Sequence, residues 1–559
     1  MSQQATASDI PIAPELARQG LRGLEREALR VTPDGHIAQT PHPRQLGSAL
    51  THSAITTDFS EALPEFVTAP HPTPAETLAE LNAIETFVAH NLGNELLWMT
   101  SMPCFIDSPA TIPIANYGSS NIGRMKHLYR VGLDHRYGRA MQVIAGVHFN
   151  YSFPTALWAP LLARRGQDAT RETRDAAWMG LVRNVQRHGW LLAYLFGASP
   201  AVCPSFMQRP PRWLRPLANG TLAAPHATSL RLSDIGYKNR SQASLIISTN
   251  TLADYVADLS RALATEEPAY AAIGVHEGDD WRQLSTAILQ IENEYYGLVR
   301  PKCRPQTAER ATLTLAREGI HYVEVRALDI DPTTPLGIRG ETMDLLELFM
   351  WFCLLAPSPP LSAGDHLEID YNQKNVAVRG REPGLHLRRA GRKRLDVQPL
   401  YAWHLYKTRA NIAPLRHAGK LHNHTNFRQH RRRPGSAAGS AYQLPPAFQN
   451  AERERGRVPC RGFQFTIIHT VVTRQRQRPC PVDAKQACCQ CLSVRGRFGD
   501  RQNQLPRFVF FAQGHKCLQI AAQQPGQGFH GQGRSRAGEA NRRDRIIEIE
   551  SIPGVTPGV

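Results

Sequence analysis

Apolar and polar positions alternate in two rhythms over residues 1–387. Residues 74–93 set Leu78, Leu81, Ile84, Phe87, Val88 and Leu92 at helical spacing and stop at Gly93, which predicts an amphipathic helix with a C-terminal glycine. Residues 171–195 carry the same period. Between them lie short segments with a period of two, including Gly146–Ser152 (GVHFNYS) and His321–Leu328 (HYVEVRAL), which read as strands with one polar and one apolar face. The order of elements lacks the regular βαβ rhythm of a doubly wound sheet, and no internal repeat is present. The expected fold class is therefore α+β, a mostly antiparallel sheet backed by helices.

Beyond Leu387 both rhythms stop. Residues 388–559 are rich in Arg, Gln, Pro and Gly, hold six of the ten cysteines, and offer only short apolar islands such as Phe463–Val472. Too few apolar groups are available there to offset the ordering entropy, so a largely unfolded basic tail is expected. Charge divides at the same place. The 559 residues carry 65 Lys+Arg and 48 Asp+Glu, a net +17, but the tail alone holds 31 against 9 and leaves residues 1–387 at a net −5. The first segment is long enough for a complete enzyme body with a buried core.

Several classes fall away. Met1–Leu16 has neither a basic n-region nor a continuous apolar stretch, so no secretory signal is expected. The longest apolar run, Leu348–Ala356, has nine residues, against roughly 20 for a membrane-spanning helix. Cys104, Cys203, Cys303 and Cys353 are widely spaced in apolar or mixed contexts, which suits reduced, packed thiols in a cytosol.

Candidate chemistry lies on the strand-like segments. Glu25 and Glu27, two apart in a strand, would share a face about 7 Å apart and could hold divalent cations, or could equally be the solvated face of an edge strand with Arg26 opposite. Thr56–Val67 interleaves Asp58, Glu61 and Glu65 with Phe59, Leu63, Phe66 and Val67. Three carboxylates cannot all be buried there without cations, although one could cap a helix and the others lie on the surface. His148, Asn150 and Ser152 form the polar side of one strand, Glu324 and Arg326 that of another, with Asp329 and Asp331 following. Taken together they suggest a sheet face lined by carboxylates, one histidine and arginines, able to hold Mg²⁺ ions and the phosphates of a nucleotide. The chain has no G-x-x-x-x-G-K-[ST] loop and no G-x-G-x-x-G turn, so ATP chemistry would have to rely on carboxylate-held metal.

The segments GLEREALRV, GSALTHSAITTDFSEALPEF, SMPCF, YGSSNIGRMKHLYRVGLDHRYG, MQVIAGVHFNYSFP, YLFGASPAVCPSF, ATSLRLSDIGYKNRSQ, LQIENEYYGLVRPK and YVEVRALDIDP, in this order from about Arg22 to Leu387, closely resemble the proteobacterial glutamate–cysteine ligases. The resemblance implies a glutamine-synthetase-like catalytic domain with a curved sheet, spanning residues 1–387. It implies a cytoplasmic, monomeric enzyme that joins L-glutamate through its γ-carboxylate to L-cysteine, using ATP with Mg²⁺ or Mn²⁺. Glutathione is implied as a feedback inhibitor. Carried over motif by motif, the metal ligands are Glu25, Glu27, Asp58, Glu65, His148 and Glu324. Arg326 steadies the transferring phosphoryl group, and Tyr129, Arg130, Arg231, Tyr237 and Tyr296 bind the amino acids.

Two departures stand out. Pro64 precedes Glu65 where an apolar residue is expected, and nothing after Leu387 resembles the apolar helices that should complete the body. The abrupt compositional shift leads to the expectation that the tail is an out-of-frame reading of a G+C-rich gene. Other readings compete for the tail and the site. A net +22 segment would bind polyanions such as nucleic acid without specificity. Cys480, Cys488, Cys489 and Cys491 lack the paired C-x2-C arms of common zinc modules. A related carboxylate–amine ligase using another amine would share the same site residues.

Overall fold

The computed structural model describes residues 16, 18–217, 220–236, 245–304 and 309–389, together with the strand segments 392–396, 490–492, 507–512 and 519–523. Its centre is a sheet of six strands: β1 (Leu21–Glu27), β2 (Ile55–Thr57), β3 (Pro64–Val67), β4 (Val147–Ser152), β5 (Val299–Lys302) and β6 (Tyr322–Leu328). Their order is β5-β6-β4-β1-β3-β2, and every neighbouring pair is antiparallel. The two strands expected from period-two alternation are β4 and β6. Strand β1 lies inside the sheet, hydrogen-bonded on both sides, which removes the edge-strand reading of Glu25 and Glu27. Pro64 opens β3, where its missing N–H is tolerated, and Glu65 keeps its place opposite Glu27 and Thr56.

Alternation sorts the strand residues onto two faces. Leu24, Phe66, Phe149, Tyr151, Val323 and Val325 share one face and are fully buried. Helices α1 (Pro74–Asn91), α3 (Arg171–His188) and α4 (Gly340–Leu355) pack against β1, β5 and β4. Each large apolar side chain buried there contributes about 1.5–3 kcal/mol. Two arginines of β1 also point into this layer and anchor helices. Arg22 pairs with Glu347 of α4 at 2.7 Å, and Tyr151 donates its hydroxyl to the same carboxylate at 2.9 Å. Arg26, with a fully buried side chain, pairs with Glu85 of α1 at 3.1 Å. So Arg26 is the buried partner of a helix carboxylate.

Local sequence explains the helix ends. In α1, Thr73 accepts the backbone N–H of Glu76, Pro74 occupies the first turn, and Gly93 just beyond the end has a φ of +63°. The periodic stretch 171–195 divides at Gly189 into α3 and a short helix, Trp190–Phe196. A Cβ at Gly189 would lie 2.7 Å from the Val185 carbonyl oxygen, so the close approach that breaks the helix needs glycine. On the other side of the sheet, α2 (Asn121–Tyr137) starts at Ser120, whose hydroxyl accepts from Gly123 N–H. Helix α5 (Ala363–Arg379) opens with a capping box between Ser362 and Asp365.

Cys104, Cys203, Cys303 and Cys353 are buried free thiols, as their contexts suggest. No helix among the described residues is long and apolar enough to cross a membrane. A hairpin of His386–Arg389 with Arg392–Asp396 straddles the compositional boundary, and the Arg388 backbone bonds in both directions to the Asn372 side chain at 2.8 and 2.9 Å. The segments 490–492, 507–512 and 519–523 pair into a three-stranded sheet. The expectation of an unfolded tail otherwise lies outside the described residues.

Candidate active site

The second face of the central sheet collects the polar residues of five strands. Register puts Glu25 opposite His148, Glu27 opposite Glu65, and Glu324 opposite both Asn150 and Arg300. Paired residues in an antiparallel ladder project to the same side, so these side chains converge. One ligand atom each from Glu25, Glu65 and His148 lies within 4.8 Å of the others. His148 Nδ1 is 3.1 Å from Glu25 and 3.5 Å from Glu324, and its Nε2 is 3.6 Å from Glu27. Arg326 pairs with Glu324 and lies 3.3 Å from His148 Nδ1. Arg326 lies two residues beyond Glu324 and so shares its face, and a register shift between Val325 and Leu328 follows.

Asp58 opens the tight turn between β2 and β3, with its N–H bonded to the Leu63 carbonyl at 2.9 Å. Its charge acts on Glu27 and Glu65. Glu61, the other acid of that segment, is engaged elsewhere: its oxygens accept the backbone N–H groups of His42 and Asn116. It therefore buttresses loops and stands apart from the cluster.

Crowding so many carboxylates shifts their protonation. Burial, then the Asp58 charge, pushes Glu27 up to about 8. Burial, with Glu25, Asp58 and Glu27 adding to it, drives Glu65 well above the usual carboxylate range. Burial also opposes ionisation of Glu324, but Arg326, Lys302 and Arg300 outweigh it and hold this group well below its ordinary value. Burial and Glu324 likewise act against Glu25, yet its contacts with His148 leave it lowered. Burial, followed by the Arg326 charge, lowers His148 and favours the neutral imidazole that a metal requires.

Four of the five residues implied as amino-acid binders lie around this cluster. Tyr129 and Tyr296 are close enough to act on each other and on Asp58. Arg130 donates to the Asp58 carbonyl and lies 4.7 Å from the Tyr117 ring centre, so it also steadies the Asp58 turn. Arg231, 3% exposed, donates to the Arg326 carbonyl at 3.0 Å. Its guanidinium occupies the space above Gly146, where an added Cβ would lie 2.2 Å from Nη2. Gly146 in turn donates its N–H to Glu27 at 2.7 Å. Tyr237 lies outside the described residues.

Arg300, Lys302 and Asn150 belong to the same face, and motif reasoning did not single out the first two. Asn150 donates to Glu25 at 2.9 Å, and Lys302 Nζ is 3.2 Å from Glu324. Arg300 donates to the Asn293 and Tyr295 carbonyls at 2.7 and 2.6 Å. The signal was the alternation in Val299–Lys302, obscured by Pro301 in a four-residue strand.

An antiparallel sheet face carrying carboxylates, a histidine and several bases is the kind of donor set from which cation- and phosphoryl-binding sites are built. Sequence comparison narrows this class. The glutamate–cysteine ligase profile matches residues 11–376, and the chain belongs to that family. The glutamate–cysteine ligase of Pseudomonas putida (strain W619) is 50% identical over 377 residues, covering 67% of this chain and 72% of that protein. The Azotobacter vinelandii enzyme is 48% identical over 398 residues, covering 70% and 74%. The crystal structure of glutamate–cysteine ligase from Francisella tularensis in complex with AMP superposes with a TM-score of 0.67 at 36% identity, covering 71% of this chain and 78% of that one. A bifunctional glutathione synthetase from Pasteurella multocida shares the fold, with a TM-score of 0.57 at 23% identity over 72% of this chain and 46% of that one.

Proposed function

We propose that this chain joins the γ-carboxylate of L-glutamate to the amine of L-cysteine through γ-glutamyl phosphate, giving γ-glutamylcysteine, ADP and phosphate, the first step of glutathione synthesis. Family membership and the AMP in the Francisella tularensis structure support this reading. The observation that carries it is the convergence of Glu25, Glu65 and His148 within 4.8 Å beside Arg326. In this reading the sheet is the curved, glutamine-synthetase-like catalytic sheet, residues 1–387 form the catalytic unit, and the enzyme acts as a cytoplasmic monomer.

A Mg²⁺ ion, with Mn²⁺ as a substitute, fits the residues present. Burial and mutual repulsion push Glu27 and Glu65 upward, as expected for carboxylates that lack a compensating cation, and His148 offers a neutral nitrogen. Glu25, Glu27, Asp58, Glu65, His148 and Glu324 would together hold two or three such ions. Bound there, the metal would spread the negative charge of a transferring phosphoryl group.

A free carboxylate is a poor acyl donor, because the amine would have to expel an oxide. Phosphorylation solves this. An oxygen of the γ-carboxylate attacks the terminal phosphorus of ATP, a P–O bond forms, and ADP leaves. The planar fork of Arg326 faces the charge that develops on the phosphoryl oxygens. The cysteine nitrogen then attacks the acyl carbon, the C–O bond to phosphate breaks, and the nitrogen loses a proton. Arg130, Arg231, Tyr129, Tyr237 and Tyr296 hold the amino acids, chiefly the carboxylate and thiol-bearing end of cysteine. Glutathione carries the same γ-glutamyl group and so competes for the glutamate position.

ADP release by the purified chain with Mg²⁺, ATP and glutamate, with and without cysteine, tests the proposal. Cysteine-dependent release is the expected result. Absence of release, persisting after an in-frame C-terminus is restored, would overturn it.

A further inference from the structure

Resting on the ligase reading, we propose that Lys302 is a further catalytic residue, whose ammonium binds the β- and γ-phosphates of the nucleotide beside the carboxylate cluster. Lys302 ends strand β5 at the edge of the sheet, opposite Tyr322, on the same face as Glu324. Its Nζ lies 3.2 Å from Glu324 Oε2, while the other carboxylate oxygen faces Arg326 and His148. The two bases thus divide one carboxylate between them.

In the ligase reading Arg326 faces the transferring phosphoryl group and Arg231 the amino acids, and the neighbouring bases also have close partners within the protein. Arg300 donates to two backbone carbonyls, at 2.7 and 2.6 Å, and Arg231 is packed against Gly146 and the Arg326 carbonyl. Arg326 contacts both Glu324 and His148. Lys302 has three donor hydrogens on a flexible stem, an ion pair with Glu324, and a side chain 29% exposed at the edge of the sheet. It can reach a ligand without breaking any backbone contact.

Charge balance gives the class of that ligand. The carboxylates Glu25, Glu27, Asp58, Glu65 and Glu324 outnumber by one the bases Arg231, Arg300, Lys302 and Arg326, all acting on this cluster. A divalent cation among these carboxylates leaves the face net positive and turns Glu324 from a partner of Lys302 into a partner of the metal. The ammonium then needs a new anion, and a phosphate chain that also faces the cation supplies it. AMP, which lacks the β- and γ-phosphates, cannot.

The test compares wild type, Lys302→Met and Lys302→Arg as full-length chains at saturating Mg²⁺. Binding of a non-hydrolysable ATP analogue and of AMP is read by calorimetry, alongside KM for ATP and for glutamate. Losing one charge-assisted contact should weaken analogue binding about tenfold or more, and AMP binding should stay within about twofold. The methionine variant should raise KM for ATP and leave that for glutamate, and arginine should restore part of the loss. Equal weakening of AMP and analogue, or analogue binding by Lys302→Met that matches wild type at saturating Mg²⁺, would overturn the assignment. Because analogue binding needs no turnover, a chain that binds the analogue but releases no ADP with cysteine even with an in-frame C-terminus restored would sink the ligase reading separately.

Discussion

Cation binding to this sheet face should release protons, and Glu27 sets the scale. Burial and the Asp58 charge push it up to about 8, against 4.5 for an ordinary glutamate. Near pH 7 the cation-free cluster therefore holds a proton on Glu27 about nine times in ten. A divalent ion must displace it, so apparent affinity should rise about 90-fold from pH 6 to pH 9 for this one proton, with most of the change below pH 8. Glu65, also pushed upward, adds to the same direction. The two carboxylates titrate as a pair, so the measured steps belong to the cluster.

The same linkage fixes how stability depends on pH. Below pH 4.5 Glu27 is protonated in the folded and the unfolded chain and has no effect. Between 4.5 and 8 the folded chain keeps a proton that the unfolded chain has released, so cation-free stability falls as pH rises. Above pH 8 the folded chain carries the full penalty, on the order of 5 kcal/mol for an unrelieved carboxylate. Mg²⁺ relieves it, so its protection of the fold should be larger at pH 9 than at pH 6. Calorimetric Mg²⁺ titrations in two buffers of different ionisation heat count the protons, and melting curves with and without Mg²⁺ give the stability arm. Proton release near zero with affinity flat across this range would show that the cation binds away from Glu27 and Glu65.

Three further outcomes follow from the packing. Phe149→Ala removes a fully buried ring from the apolar face of the sheet and should cost about 3–5 kcal/mol in chemical denaturation, with a lower melting temperature. Glu85→Ala strips the partner from the fully buried Arg26 side chain and should cost about 3 kcal/mol, whereas Glu85→Gln, which keeps a hydrogen-bond acceptor, should lose less. Gly146→Ala would place a Cβ 2.2 Å from Arg231, and kinetics should show a raised KM for an amino-acid substrate with a folded chain by circular dichroism. For the tail, truncation after Asp396, which keeps the hairpin anchored to Asn372, should remove salt-sensitive polyanion binding measured by filter retention while leaving ligase activity.

Legibility in the sequence followed the period of the element and the reach of each side chain. Alternation located β4 and β6 because a strand with one apolar face leaves a direct imprint, and the helical period located α1 and α3 for the same reason. Residues 171–195 hid a break because Gly189 interrupts the chain without interrupting the apolar pattern, its role being the close approach to Val185. Arg22 and Arg26 were opaque for a different reason. They occupy apolar-face positions in β1, and Glu347 and Glu85, carried there by helices distant in sequence, supply the charge partners that make that burial tolerable.

The site divides along the same line. Glu25, Glu27, His148, Glu324 and Arg326 could be grouped because each has a polar residue two positions away on the same strand face, while the register that joins them is a tertiary fact. Glu61 looked like its neighbours Asp58 and Glu65 yet turned to two backbone N–H groups, a choice that depends on where residues 42 and 116 arrive. Lys302 was unreadable because its strand is short and contains proline, and its meaning comes from facing Glu324 across the β5–β6 ladder. A carboxylate in a strand thus announces a candidate, but the charge it must share is decided by the strand beside it. That is why three bases hold Glu324 well below the ordinary carboxylate range while Glu65, buried and facing other acids, is pushed well above it.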